Sequence, residues 1–401
     1  MRYCEDATFW EQHDDNGIVL DKVLILSCDP SRKAWNTVMG PLSDPSSRGA
    51  LWYYDIRHDA GAGAGAGARQ RQQPRRIALE GYPAAHDFHP LGIDVYPARP
   101  DEPHSNLFVV NHARYNSTIE QFVLSWHEPD RARWVRTING PELVAPNALA
   151  LTSPTSFYLT HDHRFTRRLP SVLGKTLPIT ESVLALPLAW ATHVTLSNSD
   201  IVTHPEKTET ETGAGTGSSS HFATTHEKVA SNIPFPNGVA ISPDGSQVAI
   251  ASTTLCEILF YVRDRTTQAL SLLARVPTPF APDNLMFDTQ GSLIVAGHPH
   301  FQSLVAVAAN RTGALAPSWV VSITPKTTPP GVETETGGDW DVGVPVPASR
   351  KVPQLPGYEL RTLYQSDGSE FSSSSTALRD TKTGILYVVG LYADGLMVCT
   401  P

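Results

Sequence analysis

Apolar and polar residues alternate along much of the chain, in short runs separated by turn residues. The segment PFPNGVAISPDGSQVAIAST at 234–253 shows a strand that opens with a polar residue, a tight Asp-Gly turn and a second apolar strand. Period-two alternation around such a turn predicts a β-hairpin with one buried face. Proline is abundant and helical periodicity is weak, which indicates an all-β protein.

The same form recurs along the chain. Further copies begin near Glu5, at Leu91, at Asn147, near Asp283 and in SSTALRDTKTGILYVVGLY close to the C-terminus. Six copies, with strand candidates such as ALWYYDI, TIEQFVLSW, EILFYVRD and SLVAVAAN between them, predict six blades of about four strands each. We therefore expect a single six-bladed β-propeller domain over residues 1–401; a β-sandwich with chance similarity between its turns is the alternative.

Three segments interrupt this rhythm, near residues 59–76, 203–222 and 324–342. They are rich in Gly, Thr, Ser, Pro and Glu, and such segments bury too little apolar surface to offset the entropy of ordering the chain. We predict that they are disordered surface insertions within the propeller rather than boundaries between domains.

Charge and cysteine usage narrow the possible partners. The formal net charge of −9 argues against nucleic acid or an anionic membrane as the main partner, and no apolar stretch is long enough to span a bilayer. The four cysteines have no zinc spacing, so at most one disulfide, between the two ends, is expected. The sequence as given predicts a soluble protein. Its compartment is not predicted, because a truncated N-terminus would allow a secreted or membrane-associated protein.

The polar residues that open the inner strand of each predicted blade carry the candidate chemistry. Inner strands of a propeller face one central channel, so their first residues converge from distant positions in the sequence. These openers are Glu5, Asn147, Asn237, Asp283 and Asn284. Carboxylate and amide oxygens suit a hard cation such as Ca²⁺, which could act as a Lewis acid. A lone Asn-Gly is more often a turn device, but five polar openers in register favour a metal site.

Six segments in order resemble the paraoxonase and arylesterase family. They are CED, VVNHARYNST, SFYLTHDHRF, FPNGVAISPDG, PDNLMFDTQGSLIVAGHP and LYADGLMVC. The resemblance implies a calcium-dependent six-bladed propeller that hydrolyses lactones and aryl esters. It also implies that the five openers are the ligands of the catalytic calcium, which is the set that the repeats select.

The resemblance further implies a second, structural calcium. Its ligands would be Asp6, the backbone carbonyl of Ile93 and an acid at the position of Ala148. Because alanine stands there, the second ion either lacks one carboxylate or uses another ligand, and its presence is doubtful.

The catalytic groups depart from the family pattern. The family uses two histidines near the metal; here His112 in VVNH matches the one that orients the other, but Leu91 replaces the one that activates water. Leucine cannot move a proton. Asp283 is another candidate to activate water or to attack directly, and His298 in AGHPHF matches a histidine that lines the family's pocket. The candidate catalytic residues are therefore His112, Asp283 and His298. His89 would reach inwards or, as the more ordinary alternative, lie exposed at the strand end.

The remaining family positions concern the pocket and its support. Phe235 matches a hydrophobic wall position, and Leu91 is expected to line the same substrate pocket. Asp162 in THDHRF is expected to orient a metal ligand from behind. His161 is expected to lie at the surface, because alternate residues of a strand point in opposite directions.

Together these observations predict a calcium-dependent arylesterase or lactonase acting on a small ester or lactone. No G-x-S-x-G elbow, H-E-x-x-H pair or phosphate loop is present in the sequence. The alternatives are a propeller that binds calcium without catalysis, and a propeller lactonase of the gluconolactonase or strictosidine-synthase-like type. In the family, a cysteine before the first-blade glutamate pairs with one near the C-terminus. Only four residues precede Glu5, so Cys399 is expected to lack that partner unless the start of the gene is misplaced.

Overall fold

The computed structural model describes residues 1–46, 48–61, 72–196, 224–326 and 357–401. The predicted insertion at 203–222 lies outside the described residues, as does most of those at 59–76 and 324–342. Within the predicted insertion at 59–76, Arg75–Arg76 forms a short strand, so this part of it belongs to a blade.

Strands of the described ranges form six antiparallel sheets arranged as the blades of a propeller, each starting from an inner strand. Blade 1 contains β1 (Cys4–His13), β2 (Val19–Cys28), β3 (Ala50–Tyr54) and β4 (Arg75–Arg76), with a 3₁₀ helix at Ile56–Gly61. Blade 2 contains β5 (Ala78–Glu80), β6 (Pro90–Val95), β7 (His104–Asn111), β8 (Thr118–Ser125) and β9 (Glu128–Ile138). Its extra strand β5 adds to the outer edge in parallel to β9.

The remaining blades follow the same order from the channel outwards. Blade 3 contains β10 (Pro146–Ser153), β11 (Ser156–His161), helix α1 (Ser171–Val183), β12 (Ala189–Leu196) and β13 (Thr224–Ile233). Blade 4 contains β14 (Pro236–Ile241), β15 (Gln247–Ser252), β16 (Glu257–Arg263) and β17 (Leu270–Pro277). Blade 5 contains β18 (Ala281–Phe287), β19 (Leu293–His298), helix α2 (Phe301–Ala308), β20 (Ser318–Pro325) and β21 (Tyr358–Ser366). Blade 6 contains β22 (Ser374–Arg379), β23 (Leu386–Gly390) and β24 (Met397–Cys399).

The six-bladed prediction is confirmed, and the six repeats correspond to the inner strand and second strand of each blade. One strand prediction is wrong: most of SLVAVAAN lies in α2, where Leu304 and Val307 are buried three residues apart while Val305 between them is 46% exposed. That spacing fits one face of a helix, and a short apolar run does not distinguish helix from strand.

Hydrophobic clusters between neighbouring blades hold the ring together. Six such clusters of buried residues lie between successive blades, and one of them joins blade 6 to blade 1 through Leu24, Leu26, Leu378 and Tyr387. Backbone hydrogen bonds reinforce this junction, since Tyr3 N donates to Ala393 O at 2.9 Å. The ring is therefore closed by apolar packing and by pairing of the chain ends.

Each inner strand carries a β-bulge at its opening. The ladder register shifts there, leaving one or two residues without a direct partner on the second strand: Glu5, residues 91–92, residues 147–148, residues 237–238, residues 283–284 and Ser375. A bulge bends the strand and re-aims the side chain it carries. Bulges therefore stand at every position that the sequence marks as a candidate ligand.

The bulges of neighbouring blades lie against one another. A Cβ atom added to Gly92 would lie 2.4 Å from Asn147 O, and one added to Gly238 would lie 2.7 Å from Asn284 Cα. Only glycine permits this approach of one inner strand to the next. A hydrogen bond from Thr160 Oγ1 of blade 3 to Asn237 O of blade 4 links these two pairs, so the openings of blades 2 to 5 form one arc around the channel.

Candidate metal centre at the openings of the inner strands

The predicted ligands contribute buried oxygens that lack a hydrogen-bond partner among the described residues. These atoms are Glu5 Oε2, Asn147 Oδ1, Asn237 Oδ1 and Asn284 Oδ1, and their residues are between 2% and 6% exposed. Each comes from a different blade. A buried polar atom without a partner costs about 1–3 kcal/mol, so four of them in one arc indicate a missing cationic or hydrogen-bonding partner.

Hydrogen bonds fix the orientation of two of the three amides, those of Asn147 and Asn284. Asn284 Nδ2 donates to Glu5 Oε1 at 2.9 Å and to Glu5 O at 3.2 Å, and Asn147 Nδ2 donates to Asp162 Oδ2 at 3.0 Å. Because carboxylate and carbonyl oxygens accept from the NH₂ ends, the oxygen ends are left unpaired. The contact also joins Glu5 of blade 1 directly to Asn284 of blade 5.

Acidic neighbours make this region electrostatically suited to a cation. Burial raises the pKa of the Glu5 carboxyl well above its ordinary value, and the nearby negative charges of Asp6 and Asp283 raise it further. A bound divalent cation would reverse this effect by favouring the ionised form. In the described ranges no group of three or more His, Cys, Asp and Glu side chains could hold a metal ion; the candidate centre consists mainly of asparagine.

Asp283 and His298 form a buried pair beside these oxygens. His298 Nε2 lies 2.9 Å from Asp283 Oδ2, and both residues are less than 5% exposed. The Nδ1 atom of His298 is buried without a hydrogen-bond partner among the described residues. If Nε2 carries the proton donated to Asp283, Nδ1 keeps a free lone pair that can accept a proton.

A second layer of contacts supports the arc from blade 3. Asp162, which accepts from Asn147, also lies 3.1 Å from His163 Nδ1, and His163 Nε2 lies 2.6 Å from Ser182 Oγ of helix α1. The His163 ring meets the Phe235 ring edge to face at 4.5 Å. The structure thus places Asp162 directly behind a predicted ligand and Phe235 two residues before another.

His112, predicted as the histidine that orients the water-activating one, is hydrogen-bonded through both of its ring nitrogens. His112 Nε2 lies 2.7 Å from Pro146 O, and its Nδ1 lies 2.8 Å from Thr37 Oγ1. Burial, with the nearby charge of Arg168, lowers its pKa to about 4. Both nitrogens of this buried imidazole are thus engaged by the protein beside the opening of β10, and a catalytic role for His112 stays a prediction.

Leu91, which stands where the family has its water-activating histidine, and the nearby His89 are both buried. Leu91 packs in the core between blades 2 and 3, against Phe108 and Leu149; its role as a pocket wall stays a prediction. His89 is buried, with Nδ1 2.8 Å from Asp29 Oδ2 and its ring stacked on Trp35, so the exposed alternative is wrong. Neither residue replaces the base of the family.

Two expectations for other residues are overturned by burial and pairing. His161 is fully buried, its ring stacks on Trp190 at 5.0 Å, and burial lowers its pKa to about 3. It is therefore a core residue rather than a surface one. Cys4 forms a disulfide with Cys28 on the adjacent strand, so the expected bridge between the chain ends is replaced by one inside blade 1.

The position expected for a second ion is occupied by protein hydrogen bonds. Asp6 Oδ1 accepts from Ala7 N at 2.8 Å and Thr376 Oγ1 at 2.9 Å, and Asp6 Oδ2 accepts from Ile93 N at 2.9 Å. Ala148 contributes no oxygen side chain. These residues do not fit the second calcium of the family, and Asp6 acts as a link between three inner strands.

Several supporting residues were missed by the sequence analysis. Thr376 bridges Asp6 and Asn284, and Thr160 Oγ1 donates to Asn237 O at 2.6 Å while accepting from Ala148 N at 3.1 Å. The recurring stretches PLGI, PNAL, PNGV and PDNL could have revealed the bulges, since each inner strand of blades 2 to 5 contains one.

A cavity of about 540 Å³ runs along the inner strands below the arc, lined among others by Asp6, Asp94, Leu149, Val239 and Asn284. Burial raises the pKa of Asp94, which borders this cavity, to about 6.

In the described ranges no helix is long and apolar enough to cross a membrane.

Comparisons with known proteins agree with the sequence motifs. The sequence model of the arylesterase family matches residues 41–213 and 209–329. Serum paraoxonase/arylesterase 2 of Canis lupus familiaris is 26% identical over 235 residues, covering 58% of this chain and 55% of the relative. Serum paraoxonase/arylesterase 1 of Mus musculus is 29% identical over 217 residues, covering 53% and 50%. The chain spans about half the length of these curated relatives.

Solved structures give a weaker likeness. A gluconolactonase of Xanthomonas campestris is 12% identical with a TM-score of 0.43, covering 100% of this chain and 89% of its own. The periplasmic gluconolactonase of Pseudomonas aeruginosa is 10% identical with a TM-score of 0.43, covering 98% and 88%. The fold rests on the strand topology described above. From the match of its sequence model over most of the chain, this protein belongs to the arylesterase family.

Proposed function

We propose that this protein is a calcium-dependent hydrolase of small lactones and aryl esters. The observation that carries the proposal is the set of four buried oxygens, one from each of four blades, that have no hydrogen-bond partner in the part of the chain that the structure describes. Family membership and the names of the paraoxonase/arylesterase relatives support the reaction class.

The chemistry of the donors fits one calcium ion. The residues that would hold it are Glu5, Asn147, Asn237, Asp283 and Asn284. All offer oxygen, which calcium prefers in sets of six to eight, leaving room for water and a substrate oxygen. Two carboxylates match the charge of a divalent ion, while three neutral amides preserve its electrophilic character. Since Asp6 is saturated by protein donors and Ala148 offers no oxygen, we propose one ion per chain.

A calcium ion bound there would supply Lewis-acid polarisation of an ester carbonyl and stabilise the negative charge that develops on its oxygen. The chain's own proton chemistry comes from Asp283 and His298. Asp283 Oδ2 holds the His298 Nε2 proton and so sets the tautomer, which leaves Nδ1 to take a proton from an attacking water. This pair replaces the histidine that is Leu91 here.

The arrangement also suggests how a substrate is held. Phe235 lies half-buried two residues before Asn237, with its backbone in the left-handed region at φ 46°. A bulky residue adopts that conformation only where surrounding structure enforces it. We propose that its ring forms one apolar wall for the acyl or aryl part of a substrate.

The test uses the full-length chain with phenyl acetate and a δ-lactone. Turnover in calcium that is lost in chelator and restored by added calcium supports the proposal. Asn237→Ala should abolish both turnover and calcium binding, whereas Asn16→Ala, in an exposed outer turn of blade 1, should preserve them. Turnover that persists in chelator and in Asn237→Ala would overturn the metal mechanism.

A second candidate is a propeller that binds calcium without catalysis. It is favoured by the engaged nitrogens of His112 and by the core packing of Leu91. Under that function calcium raises the melting temperature by mass action, yet no ester or lactone is hydrolysed. A sugar lactone in the same substrate panel separates the third possibility, a lactonase of the gluconolactonase or strictosidine-synthase-like type.

A further inference from the structure

The first inner strand opens differently from its neighbours. In β6, β10, β14 and β18 the residue just before the bulge is a proline, at positions 90, 146, 236 and 282, and proline fixes φ near −65°. In β1 the same place is taken by Cys4, which precedes the bulged Glu5. The disulfide to Cys28 lies at this opening, where four of the other five inner strands have a proline ring. The fifth, β22, has Ser374 at that place and carries no predicted ligand.

Blade 4 offers a direct comparison with blade 1. Phe235 precedes Pro236 with φ 46°, and Tyr3 precedes Cys4 with φ 55°. In both blades the ligand candidate, Asn237 or Glu5, follows two residues after this left-handed residue. The two openings therefore share their backbone form, and in each a proline or a disulfide stands directly before the predicted ligand. The opening of β22 has the same left-handed residue, Ser373 at φ 57°, without either constraint, and it carries no predicted ligand.

The disulfide lies directly before the bulge at the opening of β1. Cys4 and Cys28 are directly paired in the ladder and at most 1% exposed. On the Cys28 side, Asp29 N donates to Tyr3 O at 3.1 Å; on the Cys4 side, Ser375 Oγ donates to Cys4 O at 3.3 Å. The next residue, Glu5, has no ladder partner; its Oε1 accepts from Asn284 Nδ2, and its Oε2 is buried without a partner among the described residues. With no ladder partner of its own, Glu5 depends on its neighbours for its position.

We propose that the Cys4–Cys28 disulfide is a positioning element that holds the Glu5 carboxylate in place for the ion, so that calcium affinity depends on its oxidation. This inference rests on the proposed calcium site. Reduction would break the S–S bond with two electrons from an external dithiol, forming two thiols and a disulfide in the reductant.

Three variants of the full chain test it. Cys4→Ser with Cys28→Ser removes the bridge; Cys4→Pro with Cys28→Ala replaces it by the ring that blade 4 uses; and Cys256→Ser, in the turn before β16, is the matched control. Calcium dissociation constants are measured by calorimetry, and melting temperatures in chelator are measured separately. We expect the serine variant to bind calcium about 10- to 100-fold more weakly, and the proline and Cys256 variants to bind as the wild type does.

The outcomes separate the two proposals. A wild type that binds no calcium overturns the proposed function and this inference together. A folded serine variant with wild-type affinity overturns the inference alone. So does a folded proline variant that binds as weakly as the serine variant, because constraint of the opening would then not be what matters. If the serine variant does not fold, the proline variant decides, and wild-type affinity in it supports the inference.

Discussion

Two groups of buried oxygens lie along the same channel and differ in how they are satisfied. At the openings of the inner strands, oxygens of Glu5, Asn147, Asn237 and Asn284 lack partners among the described residues. At the next residue of β1 after Glu5, the Asp6 carboxylate accepts three hydrogen bonds from protein donors. Burial is similar in both regions, so burial alone does not distinguish a binding site from a structural link.

Asp94 extends these hydrogen-bonded carboxylates to a fourth strand, β10. Its Oδ2 accepts from Leu151 N at 2.8 Å, and its Oδ1 accepts from Val95 N at 2.8 Å and Thr8 Oγ1 at 3.3 Å. Asp6 and Asp94 together link β1, β6, β10 and β22. A carboxylate whose oxygens face protein donors stabilises the ring of blades, whereas an oxygen without a partner is available to a ligand.

The largest expected effect follows from removing one unpaired oxygen. Asn237→Leu should weaken calcium binding more than about 100-fold, because calcium affinity follows ligand number. In chelator the same variant should be more stable than the wild type by about 1 kcal/mol, because a buried oxygen without a partner is gone. Calorimetry and urea unfolding measure the two quantities.

The opposite signs of these two effects make the comparison sharp. Replacing an asparagine that has only a structural role would lower the free energy of unfolding both in calcium and in chelator. Asn106→Leu, which breaks hydrogen bonds to Pro154 O and Gln121 Nε2, is the matched asparagine control and should lower stability in both conditions. If Asn237→Leu behaves as Asn106→Leu does, the unpaired oxygens are not a calcium site.

The next largest effect separates holding the ion from moving a proton. His298→Gln should lower kcat about 10²- to 10⁴-fold, the usual contribution of general-base assistance. Calcium affinity should change little, because a glutamine amide can still donate to Asp283. Steady-state kinetics with phenyl acetate, alongside calorimetry, measures both. Unchanged kcat in this variant would remove His298 from the reaction.

A smaller effect is expected when a carboxylate that accepts hydrogen bonds from the protein, such as that of Asp94, is removed. Asp94→Ala should lower the free energy of unfolding by about 2 kcal/mol, since it leaves the N–H of Leu151 unpaired. The loss should be the same with and without calcium. Asp101→Ala, at an exposed loop of the same blade, is the control.

The pH dependence of this variant has a definite sign. Burial raises the pKa of Asp94 to about 6, above its unfolded value near 3.8, so the stabilisation it contributes is greatest at low pH and declines as pH rises through 6. The loss in Asp94→Ala should therefore be larger at pH 5 than at pH 8. A loss that grows with pH, or that appears only in calcium, would place Asp94 in the ion site.

Local sequence patterns were sufficient to locate the openings of the inner strands. Asn147, Asn237, Asp283 and Asn284 each follow a proline at the start of an alternating run, and a hairpin with a short turn fixes which residues face the channel. All four lie at bulges in the structure. The blade count followed for the same reason, because each repeat is one hairpin.

Contacts between distant segments were not predictable in this way. His89 is buried because Asp29, from the preceding blade, pairs with it. His112 is engaged by Thr37 and by the carbonyl of Pro146, one blade further on. Asp29 and Thr37 are not marked by any repeat or motif, and the repeat that contains Pro146 does not show that its carbonyl meets His112. Sequence periodicity assigns a residue to a face of a strand, but the neighbouring blade decides what it meets there.

The smallest predicted effect concerns His161, whose Nδ1 is also buried without a partner among the described residues. Its pKa of about 3 lies below the unfolded value near 6.5, so the unfolded chain binds the proton first as pH falls. His161 should therefore cost about 1 kcal/mol of unfolding free energy between pH 7 and pH 5.5. His161→Phe, which keeps a ring against Trp190, should reduce the wild-type difference between these pH values in urea unfolding, while His127→Phe at an exposed turn should leave it in place. An unchanged difference in His161→Phe would mean that burial does not lower the pKa of His161 and that another group causes the loss of stability between these pH values.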